Sequence, residues 1–236
     1  MYEIEFVKEI DFDFQIFEHN LVMVGGTGEG KTELTWDLLG FLLDEEPNID
    51  WWIWDYSDKF SNWGKVVHEI EDLHRGRYVI QANDKSLENF KRFCNRLHFG
   101  AQDGLYNNTH LVVDEVHQYL NKQSNLQELM NIVLSDRNKG VTGFYIATMP
   151  QSIPNWILNN VKHVISMRQE VSSNIEWLRN YIGREAWLLL AQDARGKMPK
   201  DIPEEIADYP QLPSHSYIYR NKNRSKPQVY LNNDET

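Results

Sequence analysis

Short apolar runs recur along the chain, each bounded by polar or turn-forming residues. Leu21-Val22-Met23-Val24 is the first, and Trp51-Trp52-Ile53-Trp54 lies inside a second segment, Asp50 to Asp55. Tyr78 to Gln81, His110 to Asp114, Thr142 to Thr148 and Val161 to Met167 follow. Each is too short for a helix and apolar enough to be buried on both faces, so each predicts a core strand. Between them the period changes. Glu33 to Leu43 reads as a helix with an apolar face, and Asp44 to Asn48, with Pro47, ends it. Ser86 caps a helix opening over Leu87 to Phe93, with Gly100 to Asn108 as a turn-rich connector. Leu126, Leu129, Met130, Val133 and Leu134 fall at helical spacing within Asn125 to Asp136. Trp156 to Asn160 predicts a short helix, and residues 172–192 a longer one.

The remaining stretches have other patterns. Residues 1–20 alternate apolar and acidic, as in Ile10-Asp11-Phe12-Asp13-Phe14, and predict an edge strand or hairpin. Residues 56–77 read as polar and irregular. Residues 195–213 hold Pro199, Pro203, Pro210 and Pro213 and read as a loop or arm. Ser216 to Arg220 and Gln228 to Leu231 could pair as a last hairpin. Strands alternating with helices give an α/β class with a mostly parallel, doubly wound sheet. A core over residues 1–192 and an extension over 193–236, packed on the same domain, is the expected organisation.

The turn after the first strand carries the chemistry. Gly25-Gly26-Thr27-Gly28-Glu29-Gly30-Lys31-Thr32 fits G-x-x-x-x-G-K-[ST], between a strand and a helix start, which is the context this phosphate-binding loop requires. Its backbone N–H groups and the positive helix end form an anion cradle. Lys31 would reach the β- and γ-phosphates of ATP, and the Thr32 hydroxyl would sit on Mg²⁺. The fold expected is a P-loop NTPase of RecA-like type.

Composition narrows the class. The chain has 236 residues, 41% of them hydrophobic, which suits one large α/β domain. No apolar stretch approaches about 18 residues, so no membrane span is expected. The acidic start is unlike a signal peptide. Cys94 is the single cysteine, so no disulfide framework exists and a reducing, cytoplasmic setting fits. A net charge of −11 argues against a protein that coats nucleic acid broadly, yet permits a local basic channel. The 8 Trp and 11 Tyr are assigned to packing rather than base stacking. The 8 histidines show no metal-ligand spacing.

Further candidates follow from where strands end. Leu111-Val112-Val113-Asp114-Glu115 is an apolar run delivering two carboxylates to the ligand edge of the sheet, as a Walker B strand does. Asp114 would hold Mg²⁺ through water, and Glu115 would orient or deprotonate the attacking water. Thr148 would lie beside Asp114, either touching the γ-phosphate or lytic water or serving only as a strand residue; Gln151 is a nearby alternative. Asp55, also at the ligand edge, either helps with metal or water or caps the following loop. Arg137, in Asp136-Arg137-Asn138-Lys139-Gly140, is either a solvated charge or an arginine finger for a neighbouring subunit, with Arg168 as rival. Arg220 to Lys226 is a compact basic run suited to phosphate contacts or to a solvated hairpin tip. A GTPase switch is disfavoured, because Asn138-Lys139-Gly140-Val141 lacks the base-reading Asp.

Together these motifs resemble the HerA–FtsK superfamily of P-loop motor ATPases. The resemblance rests on Gly25 to Thr32, Leu111 to Glu115 and Ser135 to Thr148, where Arg137, Gly140, Ala147 and Thr148 match an arginine–glycine turn leading into a strand. The family's glutamine position holds Met149, with Gln151 two residues on. Within the superfamily the compact length resembles genome-packaging ATPases of tailless icosahedral viruses with internal membranes. Met167 to Glu170 and Asn174 to Ile182 are similar to the helix after the last core strand in archaeal-virus members. The resemblance covers roughly residues 20–231. It implies a homo-oligomeric ring, of roughly five or six subunits, that hydrolyses ATP between subunits. Such a ring drives double-stranded DNA into a preformed capsid at its portal vertex, in the host cytoplasm or attached to the virion. Conjugation, helicase and filamentous-phage assembly motors are the nearest rivals.

Overall fold

The apolar runs become the centre of one sheet. The computed structural model describes residues 5–7, 16–106, 108–121, 123, 125–169, 171–183, 212, 214–223 and 226–232. Strand β1 is Glu5–Val7, β2 Leu21–Val24, β3 Asp50–Trp54, β4 Lys65–Val67 and β5 Arg77–Ile80. Next come β6 Thr109–Val113, β7 Val141–Ala147, β8 His163–Met167, β9 Tyr217–Asn221 and β10 Gln228–Tyr230. Their order is β1-β10-β9-β8-β2-β7-β6-β3-β5-β4. From β8 to β4 all pairs are parallel, whereas β9 is antiparallel to both β8 and β10. The C-terminal hairpin therefore extends the sheet beyond β8, and β1 closes that side by pairing parallel with β10.

Helices cover both faces, as a parallel sheet requires. Period-2 alternation along the strands sends each residue to one of two cores. Leu21, Met23, Trp51, Ile53, Phe144 and Ile146 face α1 (Lys31–Glu45) through Leu34, Leu38, Leu39 and Leu42. Val22, Val24, Trp52, Trp54, Leu111 and Val113 face the other side. There they meet α2 (Leu87–Gln102), α3 (Gln127–Ser135), α4 (Asn155–Asn160) and α5 (Ser172–Ile182). The β3 tryptophans are packing residues: Trp54 lies 5.0 Å from the Phe93 ring and 5.3 Å from Phe90, and Trp52 lies 4.7 Å from Tyr106. Among the described residues no helix is long and apolar enough to cross a membrane.

Several expectations are corrected. Residues 56–77 are not irregular throughout, since they hold β4 and 3₁₀ turns at Ser61–Trp63 and Ile70–Asp72. Helix α2 runs through Gly100 to Gln102 instead of yielding to a connector. Gly100 is there because Tyr106 folds back onto it; a Cβ at that position would stand 1.9 Å from Tyr106 Cε2. On α3, Leu129, Ile132 and Val133 form the buried stripe, and Leu134 is exposed. The expected helix over 172–192 is seen as α5; residues 184–192 lie outside the described residues, as does the expected arm over 195–213 apart from Leu212. The early alternation is seen as edge strand β1, with residues 8–15 outside the described set.

Candidate active site

Strand β7 separates β2 from β6. The loop after β2 and the carboxylates after β6 therefore flank the end of β7, and the three strand ends build one site. Gly25 leaves β2 with its N–H on the Ala147 carbonyl, and Gly26 N–H donates to the Arg168 carbonyl at 2.8 Å. A side chain at Gly25 would meet Met167 Cβ at 2.8 Å, so the loop passes β8 only because the residue is glycine. Thr27 and Gly28 are exposed. Gly30, in left-handed geometry at φ 91°, turns the chain into α1, whose first residues are Lys31 and Thr32.

Lys31 is only 8% exposed. Its Nζ donates to the Gly25 and Gly26 carbonyls at 2.9 and 2.8 Å, closing the loop on itself. Burial lowers its pKa, and the nearby charges of Glu115 and Asp114 oppose that. Thr32 is half-buried in the first helical turn. Glu29 is buried because the C-terminal segment reaches over the loop: Ser214 Oγ donates to Glu29 Oε2 at 3.2 Å.

Asp114 is buried and takes hydrogen bonds from both the N–H and the hydroxyl of Ser57. Burial raises its carboxyl pKa, partly offset by those bonds. Glu115 follows at φ 48°, ψ 46°, a left-handed conformation that costs a non-glycine residue roughly 1–2 kcal/mol. This sharp exit sends the chain into a 3₁₀ turn, Val116–Gln118. Thr148 Oγ donates to the Glu115 carboxylate at 3.0–3.1 Å, and His117 Nδ1 lies 3.1 Å from Oε2. Burial acts to raise the Glu115 pKa; His117, Thr148 and Lys31 outweigh it and hold the carboxyl below its ordinary value. Glu115 is thus an ionised, oriented carboxylate facing the loop lysine.

The site brings together Gly25 to Thr32, Asp114, Glu115 and Thr148. Arg137 is not among them. It sits in the 3₁₀ turn Asp136–Lys139 before β7, at the far end of that strand. Seven strand residues span about 23 Å, beyond one arginine's reach to its own loop. Arg168, directly after β8, is on the loop side. Met149 is exposed, and Gln151 lies in a 3₁₀ turn, Pro150–Ser152. Asp55 is fully buried and takes the Lys59 and Phe60 N–H groups at 2.9 and 3.0 Å, which makes it the cap of its loop. The basic run lies at the β9 end away from the phosphate loop; Lys222 Nζ donates to the Leu158 carbonyl. Ser57, His117 and Ser214 carried no sequence signal, except that His117 stands two residues after Glu115.

No family model matches the chain, and no curated protein matches it in sequence. Solved structures do match. The genome packaging NTPase B204 from Sulfolobus turreted icosahedral virus 2, in complex with ATP-gammaS, gives a TM-score of 0.71 at 16% identity, covering 91% of this chain and 97% of that one. B204, the DNA-packaging ATPase from Sulfolobus turreted icosahedral virus, gives 0.68 at 15%, over 90% and 97%. The pCW3 conjugation coupling protein TcpA gives 0.57 at 14%, over 94% of this chain and 62% of that one. At these identities the likeness is one of fold: the chain has the P-loop NTPase fold that these neighbours share.

Proposed function

We propose that this chain is an ATP-hydrolysing motor that moves double-stranded DNA, as the packaging ATPase of a virus. The observation that carries the reading is Glu115: an ionised carboxylate, fixed by Thr148 and His117, opposite a loop that ends in a buried lysine. A nucleotide-binding switch needs the loop but not this carboxylate. In the proposed reaction the loop N–H groups and Lys31 bind the phosphates of ATP, and Glu115 aligns a water and accepts its proton. Thr148 holds Glu115 in place and is a positioning residue. Thr32 and Asp114 offer one hydroxyl and one carboxylate, a donor set that suits Mg²⁺ with its remaining waters. Mg²⁺, when bound, neutralises phosphate charge.

Subunits would stack head to tail into a ring, since Arg137 stands at the sheet end away from its own loop. There it would meet the neighbour's γ-phosphate and be worth roughly 10³-fold in turnover. The likeness to B204, a DNA-packaging ATPase, supports the packaging reading; in that reading the DNA would enter a capsid through its portal vertex. The test is the ATPase rate against protein concentration, with and without duplex DNA. The rate per chain should rise steeply with concentration and again with duplex; a rate indifferent to both contradicts the reading.

A further inference from the structure

The three adjacent strands that carry the phosphate loop, Thr148 and Arg168 at one end carry another set of residues at the other. Lys162 precedes β8, His19 lies ahead of β2, and Arg137 is in the turn before β7. These side chains converge. Arg137 Nη1 lies 3.1 Å from His19 Nδ1, and Lys162 Nζ lies 2.6 Å from His19 Nε2. A neutral imidazole has one acceptor nitrogen and one N–H, whereas arginine and lysine only donate. One of the two cations therefore faces an N–H group. Neither Arg137 nor Lys162 has a carboxylate within ion-pair distance among the described residues. Glu18, the acid beside His19, is exposed. Two cations drawn onto one ring, with no carboxylate in ion-pair contact among the described residues, form a cluster that suits an anion.

We infer that Arg137, Lys162 and His19 form a phosphate-binding site, and that its ligand is the terminal phosphates of the nucleotide held by the next copy of this chain. The inference rests on the head-to-tail reading above and adds Lys162 as a second cation acting across the interface. Position favours a nucleotide over DNA. The cluster contains Arg137, the residue that cannot reach its own loop; the longer basic run starts at the same end of the sheet, where the Lys222 N–H bonds the Lys162 carbonyl, but it runs on into the β9–β10 hairpin. His19 is half-buried and its pKa is lowered by burial, then by Lys162 and Arg137, with Glu18 opposing. A phosphate between the cations would reverse the unfavourable part of that balance. Lys162 makes this role separable from folding. Its N–H bonds the Asn20 carbonyl and its carbonyl takes the Lys222 N–H, while its ammonium touches His19.

Two measurements test it. In the first, inorganic phosphate is titrated into the full chain carrying Lys31→Ala, whose own loop has lost its lysine. The His19 imidazole resonances should shift saturably, and adding Lys162→Ala should abolish the shift; no shift, or one unaffected by Lys162→Ala, overturns the site. In the second, Lys162→Ala should turn over ATP roughly 10- to 100-fold more slowly, with unchanged affinity at its own loop. Lys162→Arg should restore most of the rate. Mixing Lys162→Ala with Lys31→Ala should recover activity, because one mixed interface is intact. Wild-type turnover in Lys162→Ala, or no recovery in a mixture shown to co-assemble, overturns the nucleotide assignment. Unchanged turnover with a shallower salt dependence of duplex binding gives the phosphate to DNA instead and equally overturns it. A wild-type chain without ATPase activity, or an active Glu115→Gln, would defeat the motor reading itself, while the phosphate titration still decides the site.

Discussion

At the scale of single residues, Glu115 shows how a carboxylate is made useful. Burial alone would favour its neutral form, which could not accept a proton. His117, Thr148 and Lys31 reverse the sign and fix the side chain at the same time. Glu115→Gln keeps the shape and removes the charge. It should bind ATP as tightly as wild type and hydrolyse it at least roughly 10²-fold more slowly; equilibrium binding beside steady-state turnover checks this, and near-wild-type turnover contradicts it. His110 is a second buried titratable group, with a different consequence. The Thr142 hydroxyl donates to the Phe17 carbonyl at 2.8 Å, so His110 Nδ1 must donate to Thr142. Burial lowers the His110 pKa to about 3 from 6.5. The unfolded chain then binds the extra proton, so the stability from keeping this ring neutral is present above pH 6.5 and is lost as pH falls toward 3. Between pH 7 and pH 5 the loss should be about 2 kcal/mol, and His110→Asn should flatten that part of the profile in urea melts. Lys31, Asp114 and Glu115 were legible in the sequence because each belongs to a contiguous motif at a strand end. Ser57 and Ser214 were not. Ser57 reaches Asp114 only because β3 pairs with β6, and Ser214 reaches Glu29 only because β9 pairs with β8.

At the scale of elements, period and punctuation gave the strands well, and side-chain exceptions decided the ends. Gly100 looked like a stop for α2 because glycine usually ends helices. In the fold it is a notch in the last turn of α2 for Tyr106, which in turn packs on Trp52. The short edge strand β4 escaped notice because Lys65-Val66-Val67 offers too few residues for a period to show. The notch makes an element-level prediction. Alanine normally favours a helix interior by about 1 kcal/mol over glycine, yet Gly100→Ala should destabilise by roughly 1–3 kcal/mol through overpacking against the ring. In a Tyr106→Ala background the same change should turn neutral or stabilising. Chemical denaturation of the four-member cycle measures the sign; a stabilising Gly100→Ala in the wild-type background contradicts the packing account.

At the scale of the whole molecule, the sheet has two chemically different ends. One carries the loop, the acidic pair and Thr148, and the other carries Arg137, His19 and Lys162. Parallel pairing from β8 to β4 produces this polarity, because every connection returns the chain to the same starting edge. Such a chain can place one end against the other end of its neighbour, and a closed ring of such contacts can encircle a duplex. The fold and the loop end were legible from sequence; the opposite end was legible only as Arg137, since Lys162 and His19 reach it from remote parts of the chain. The central claim is that ATP hydrolysis here moves duplex DNA. Displacement of a third strand from a triplex-bearing duplex measures this directly. Wild-type protein with ATP should strip the third strand, and neither Glu115→Gln with ATP nor wild type with a non-hydrolysable analogue should do so. Wild-type protein that hydrolyses ATP on the duplex, yet leaves the third strand bound, would contradict the account.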